Sequence, residues 1–378
     1  MKVSYKAILP LGFKANAVSA GIKRSGKLDL ALFYSLFPAK AHALFTTNSI
    51  QAAPILVNKN HLRKNKNFKA IIINSGNANC FTGKAGIRDA EDTAITLAKS
   101  LRIKKEAVLV NSTGIIGKRL PVKKIKNAIC GLVDGLSYAG MPKATKAILT
   151  TDTFTKTASV KFRLGKCFVT ISGVAKGAGM IAPNMATLLS FIFTDANIAQ
   201  GVLNKALKSA VEGSFNCITV DGCMSTNDTV AILANGAAAN LVIKKGVPFK
   251  VFSRALSLVC LELAKLVVKD AEGATKFIEI TVDKAKSTNE AKIVALAIAN
   301  SDLFKTAIYG ENPNFGRISA AAGSSGVEVK ERGLKMRVSP LSKKNIRVYV
   351  SINRGKSKAV VYTSDLTPEY VKINAEYN

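Results

Sequence analysis

Apolar residues recur along the chain in two periods. Short β-branched runs read as strands, stretches with apolar positions three and four apart read as helices, and their alternation gives an α/β (α+β) class. Residues 70–73 read as a buried strand stopped by the turn-rich Asn74-Ser75-Gly76-Asn77-Ala78-Asn79. A helix over 89–101 puts Ala94, Leu97, Ala98 and Leu101 on one face, with acids in its first turn where the dipole favours them. Residues 107–110 read as a strand running into Asn111-Ser112-Thr113-Gly114. A helix over 121–133 follows, with Pro121 where a missing N–H costs nothing.

The middle repeats the alternation. Residues 166–172 predict a strand, 173–184 a glycine-rich loop and 187–193 an apolar strand. Thr194-Asp195 offers a cap before a helix over 198–211, and the longest helix spans 248–268, stopped near Gly273. Beyond it, shorter alternating strands at 278–282, 293–299, 348–352 and 359–362 predict a smaller second unit from about residue 277.

Composition narrows the class. Of 378 residues 48% are hydrophobic, which excludes wholesale disorder, and no run approaches the ~20 apolar residues that span a bilayer. The opening MKVSYKAILPLGF carries no signal-peptide pattern, so a cytoplasmic location is expected. Net charge is +31, from 55 Lys plus Arg against 24 Asp plus Glu, and invites a basic RNA-binding reading. Only 12 of those cations are Arg, however, and the densest run, 59–69, holds one Phe and so no stacking platform. A solvated, lysine-biased surface with no nucleic-acid partner is the simpler reading.

Six cysteines form no C-x-x-C pair, and with His42 and His61 distant no metal spacing exists; buried reduced thiols are expected. Scarce histidine also removes the Ser–His and Cys–His types of catalysis. In 176–187 (KGAGMIAPNMAT) a lone lysine heads an irregular loop that leads into a buried strand. The segment reads either as a tight turn or as a place where Thr187 attacks the carbonyl of Ala186 and becomes a new N-terminus. A terminal threonine carries its own base, an α-amine with a pKa of about 7.7–8.0. Thr113 and Gly114 would then offer a hydroxyl and an N–H to an oxyanion, although such S-T-G sequences are usually turns.

Ordered blocks run through most of the chain: NAVSAGIK (16–23), FTTNSIQAAP (45–54), INSGNAN (73–79), STGIIG (112–117), TTDT (150–153), GAGMIAPNMATLLSFIFTD (177–195), TVDGCMSTNDT (219–229), KDAEGATKF (269–277) and YGENPNFGRI (309–318). With these the sequence resembles the ornithine acetyltransferase (ArgJ) family of arginine biosynthesis.

The resemblance implies an αββα sandwich of the DmpA/ArgJ-like type over 1–276 with a smaller C-terminal α/β domain over 277–378. It implies self-cleavage between Ala186 and Thr187 into chains of residues 1–186 and 187–378, associating as a heterotetramer or larger. It implies glutamate N-acetyltransferase activity: Thr187 takes acetyl from N2-acetyl-L-ornithine, releases ornithine and passes the acetyl to glutamate, giving N-acetylglutamate. Acetyl-CoA is a possible co-substrate, and no metal or bound organic cofactor is expected. Thr113 and Gly114 take the oxyanion role, and Thr150, Lys176, Thr187, Glu272 and Asn374 contact substrate. At the tail, Asn378 could supply an amide where the family has a hydroxyl.

Read without the resemblance, Glu272 could equally answer Lys269 or Lys276 on a surface, Asn374 would be a frayed-end residue, and Asp221 and Asp228 are structural. Cys223, Met224, Asn312 and Phe315 depart from the family pattern. An N-terminal-nucleophile aminopeptidase or amidase is the rival enzyme, against which the KDAEGATKF block argues through amino-acid recognition.

Overall fold

The computed structural model describes residues 1–182 and 188–376. The first half runs β1 (Phe13–Val18), β2 (Leu30–Phe45), α1 (Ala53–Lys64), β3 (Phe68–Asn77), α2 (Gly83–Leu101), β4 (Val108–Ile115), α3 (Val122–Asp134), α4 (Met141–Ala147), β5 (Lys156–Leu164) and β6 (Cys167–Lys176). After it come β7 (Leu189–Thr194), α5 (Gln200–Glu212), β8 (Thr229–Ala234), α6 (Gly246–Lys269), β9 (Phe277–Ala285), α7 (Thr288–Ala299), α8 (Asp302–Tyr309) and α9 (Phe315–Gly323). The chain finishes with β10 (Lys335–Val338), β11 (Asn345–Ser351), β12 (Ser357–Ser364) and α10 (Pro368–Glu376).

Strand β2 belongs to two sheets. Leu30 to Ser35 pair antiparallel with β1, Leu30 to Tyr34 and, after a register shift, Ala39 pair with β3, and Lys40 to Phe45 pair with β8. The strand order is therefore β4-β3-β2 on one side of the bend and β2-β8-β7-β6-β5 on the other. Period-two side chains fill both faces of each sheet. Phe33, Ile71, Ile73, Phe191, Phe193 and Leu233 meet between the sheets, with the Phe33 and Phe193 rings 4.8 Å apart. The alternate residues point outward: Leu32, Ile72 and Val110 pack under α2 and α3, and Ile171, Ile192 and Ile232 under α5 and α6. Helix, sheet, sheet, helix is the αββα order. Each such fully buried side chain contributes about 1.5–3 kcal/mol relative to exposure.

A separate core, from Ile278 to Val361, lies between the sheet β10-β11-β9-β12 and helices α7 and α9. Tyr362, stacked on Phe277 at 5.7 Å, belongs to the sandwich core and joins the two.

The structure corrects several local expectations. Residues 293–299 are helical, within α7: Ser287 caps Glu290 N–H at 3.1 Å, and the buried Ala291, Val294, Ala295 and Ile298 are spaced for a helix. Residues 173–176 continue β6 instead of opening a loop, because Gly173 lets α6 come close: a Cβ there would stand 2.8 Å from Leu263 Cδ1. Thr194-Asp195 caps no helix, since α5 begins after Ala199 and Asp195 accepts the N–H groups of Thr170 and Leu11. The Asn74 and Ser112 segments are strand, not turn, because their side chains are satisfied inside: Ser112 Oγ donates to Asn74 Oδ1 at 2.6 Å and Asn74 Nδ2 to Asn77 O at 2.8 Å. Only Cys80, Cys217 and Cys260 are buried; all six thiols are free.

Candidate active site

Lys176, the last residue of β6, points its ammonium into a pocket between the sheets and is 4% exposed. Its Nζ donates to Thr150 Oγ1 at 2.8 Å and Thr113 Oγ1 at 3.2 Å. An ammonium has no acceptor, so each threonine oxygen receives a hydrogen bond from it and each hydroxyl hydrogen is left to turn into the cavity. The cavity holds about 110 Å³ and is lined by Thr113, Gly114, Thr150, Lys176, Glu272 and Asn374, among others. Six residues expected at the site, drawn from distant parts of the sequence, thus meet in one place.

Backbone geometry explains Gly114. It has φ +131° at an irregular pairing of β4 with β3, and a Cβ there would lie 2.4 Å from the Gly76 carbonyl carbon. No other residue fits between those strand ends. Gly179 serves the opposite wall: a Cβ on it would lie 2.1 Å from Glu272 Oε2, so its bareness makes room for that carboxylate. Glu272 N–H donates to Ala178 O at 3.0 Å, tying the two segments together. Asn374, on α10, donates Nδ2 to Glu272 Oε2 at 3.0 Å. Neither lysine proposed as a surface partner takes Glu272: Lys276 pairs with Glu311 at 2.7 Å, and Lys269 lies over the Phe277 ring.

Behind Lys176 stands a charged network that the sequence reading missed. The side chains of Asp152 and Lys156 are fully buried and paired at 2.6 Å, and Lys156 also meets Asp270. Asp152 further accepts the N–H of Gly177 at 2.7 Å and of Thr150 at 3.0 Å. Burial pushes its carboxyl up, but Lys176, Lys156 and these hydrogen bonds outweigh that and hold it at about 2. Burial drives Lys176 below its ordinary value, Asp152 resists, and Lys156 adds to the lowering. The signal was present as the Asp of TTDT.

Ser225 and Asn227 also line the cavity; Asn227 Nδ2 bridges Ala78 O at 2.7 Å and Ser112 O at 2.8 Å. Asp228 accepts Leu188 N–H at 2.9 Å, and burial raises its carboxyl well above the usual range, with Leu188 N–H and Lys176 opposing. Asp221 accepts the N–H groups of Met180, Ile181 and Cys223. Ala186, Thr187 and Asn378 lie outside the described residues. Cys223, Met224, Asn312 and Phe315 do not line this pocket, nor do His42 and His61. Among the described residues no group of three or more His, Cys, Asp or Glu is arranged to hold a metal ion, and no helix is long and apolar enough to cross a membrane.

Oriented hydroxyls facing a carboxylate across an amino-acid-sized cavity, at the mouth of an αββα sandwich, define the class: the chain is an acyltransferase. It belongs to the ArgJ family, whose model matches residues 14–342. Over 98% of its length it is 46% identical to the arginine biosynthesis bifunctional protein ArgJ of Caldanaerobacter subterraneus subsp. tengcongensis, covering 98% of that protein. A protein of the same name from Geobacter sulfurreducens is 45% identical over 97% of this chain and 98% of its own. Among solved structures, the ornithine acetyltransferase of Mycobacterium tuberculosis complexed with ornithine is 36% identical over 50% of this chain and 98% of that one, with a TM-score of 0.45.

Proposed function

We infer that the chain is a glutamate N-acetyltransferase of arginine biosynthesis that moves acetyl from N2-acetyl-L-ornithine to L-glutamate through an ester on Thr187. Cleavage between Ala186 and Thr187 frees the α-amine, which takes the hydroxyl proton as Thr187 Oγ attacks the amide carbonyl. The developing oxyanion is met by the Thr113 hydroxyl and Gly114 N–H, and the proton passes to the departing ornithine amine. Glutamate then reverses the sequence, leaving as N-acetylglutamate. Glu272, braced by Asn374, answers the ornithine side-chain ammonium, and Lys176 with Thr150 answers a carboxylate.

The observation that carries this reading is the double contact of Lys176 with Thr113 and Thr150, which turns two hydroxyl donors into the cavity that Glu272 faces. The shared name of the relatives, at 45–46% identity over nearly whole chains, supports the pathway. The cleavage products form an obligate pair that assembles as a heterotetramer or larger and works in the cytoplasm.

A denaturing gel with initial-rate kinetics tests it. Two near-equal bands and parallel double-reciprocal lines are expected, with one band and no transfer for Thr187→Ala. Normal turnover in that variant, or intersecting lines, would sink the acyl-enzyme.

A further inference from the structure

The α-amine that serves Thr187 as a base exists only after the chain is cut. Before that its nitrogen is an amide with no basicity, so attack of Thr187 on the Ala186 carbonyl needs another proton acceptor. Neither histidine lines the site.

The ionisable side chains around the cavity differ in what they can accept. Lys176 donates to Thr113 and Thr150 as an ammonium, and an ammonium accepts nothing. Asp152, ion-paired with Lys156 and held at about 2, is a feeble base. Asp221 has both oxygens engaged, by the N–H groups of Met180, Ile181 and Cys223 and by Tyr370 OH. Glu272 stands on the opposite wall, against Gly179, with Oε2 on Asn374. Asp228 is left.

Strand pairing sets its place. β7 and β8 run parallel with Leu189 beside Thr229, so Leu188 falls beside Asp228. Leu188 N–H donates to Asp228 Oδ1 at 2.9 Å, and Leu188 O accepts Thr229 N–H at 3.1 Å. The pinned nitrogen is bonded to the Thr187 carbonyl, so the carboxyl is anchored one residue from the hydroxyl that must lose its proton. Asp228 is 1% exposed, and its second oxygen, Oδ2, has no hydrogen-bond partner among the described residues. The neighbouring Thr46 hydroxyl donates to Ser225 O instead, at 2.7 Å. A buried acceptor left open is costly and invites a proton. Burial strengthens its hold on one, against the pull of Leu188 N–H and Lys176.

We propose that Asp228 is the base of self-cleavage, taking the Thr187 hydroxyl proton on Oδ2 as Oγ attacks the Ala186 carbonyl. The proposal deepens the reading above and rests on its cleavage step. The bond from Oγ to the carbonyl carbon forms, the bond from that carbon to the Thr187 nitrogen breaks, and Asp228 returns the proton to the departing nitrogen. Ala186 is then an ester on Thr187. Water hydrolyses that ester, its hydroxyl going to the Ala186 carbonyl and a hydrogen to Oγ. The freed amine takes over in acetyl transfer, so the two reactions of Thr187 use different bases.

The full chain, made by cell-free translation and sampled over time on denaturing gels, tests this. Asp228→Asn keeps an oxygen for Leu188 N–H but loses the basic carboxylate. Its cleavage should slow about a hundredfold or more, with a limited-proteolysis pattern like that of uncut Thr187→Ala. Formate should speed cleavage of Asp228→Gly, where the carboxyl's space is empty, by about tenfold or more and leave Asp228→Asn unchanged. Neutral hydroxylamine cuts oxygen esters but not peptide bonds, and should leave Asp228→Asn whole. Two bands after hydroxylamine would mean that the ester forms without Asp228, and would overturn the assignment. Cleavage of Asp228→Asn at the parent rate would do the same. Should both variants misfold, the parent decides: its rate should level off by about pH 9 with a carboxylate as base, and a rise in step with hydroxide through that pH overturns the proposal. A parent chain that never cuts itself would instead overturn the cleavage reading.

Discussion

Asn374 reaches across 102 positions of sequence to donate its amide to Glu272 at 3.0 Å. The helix that carries it is anchored for the purpose: Thr367 Oγ1 donates to Gly273 O at 2.7 Å, and Tyr370 OH to Asp221 at 3.2 Å. Asn374→Ala should therefore weaken substrate binding without touching the acyl step. A hydrogen bond to a charged group is worth about 1.5–3 kcal/mol, so KM for acetylornithine should rise roughly tenfold or more with kcat nearly unchanged. A fall in kcat alone would contradict this assignment.

Gly179→Ala puts a methyl group where Glu272 Oε2 stands, 2.1 Å from the ideal Cβ. The carboxylate must swing away, while the fold loses little. The expected result is a large loss of kcat/KM for acetylornithine with a melting temperature within a few degrees of the parent. An unfolded variant would instead make Gly179 a packing residue.

Gly114→Ala meets backbone on the facing strand, at 2.4 and 2.5 Å from Gly76 and Asn77. Displacing the Gly114 N–H should raise the acyl-transfer barrier by about 3 kcal/mol, a rate loss of more than a hundredfold. Burst kinetics on chain already cleaved separates this from slower processing, and an unchanged burst rate would refute the oxyanion role.

Asp152→Asn leaves Lys156 and Lys176 buried with less compensation, a cost of about 3–5 kcal/mol in stability at neutral pH. The Asp152 carboxyl lies at about 2 in the folded chain against an ordinary 3.8. Its depressed value means that its contribution is full above 3.8 and lost as pH falls toward 2. The stability difference between parent and variant, followed by denaturant unfolding, should be flat above that window and shrink within it.

Lys176, lowered by burial, should lose its proton below 10.5. Deprotonation gives the amine a lone pair that can accept from the Thr113 or Thr150 hydroxyl, turning that donor away from the cavity. The pH profile of kcat/KM should thus carry an alkaline limb below 10.5 that Lys176→Arg shifts upward. A limb identical in both enzymes would assign it elsewhere.

The sequence showed what its apolar spacing could carry. The β-branched run at 70–73 lies in a strand and the long apolar helix before Gly273 is α6. Spacing failed where polar residues continue a strand because buried partners satisfy them: Ser75 Oγ donates to Ala147 O, a contact no local pattern encodes. It failed again at 293–299, where alternating small and large apolar residues read alone as a strand, and the Ser287 cap with buried Ala291 and Val294 upstream makes the segment helical. Lys176 and Glu272 could be suspected from their blocks; Asp152 stood in the TTDT block too, but its role shows only once β6 brings Lys176 beside it.

The bent order of strands has a topological result for a chain cut between Ala186 and Thr187. β5 and β6 precede the cut and form one flank, β7 and β8 follow it and lie in the middle, and β2 to β4, again from before the cut, form the other flank. The later fragment is interleaved with the earlier one and hydrogen-bonded to it along both borders. Neither piece can leave by sliding off an edge; separation demands that two ladders be torn at once. Cut there as proposed, the chain would lose one peptide bond yet stay a single mechanical body, and its halves, made apart, would have to fold around each other to regain it.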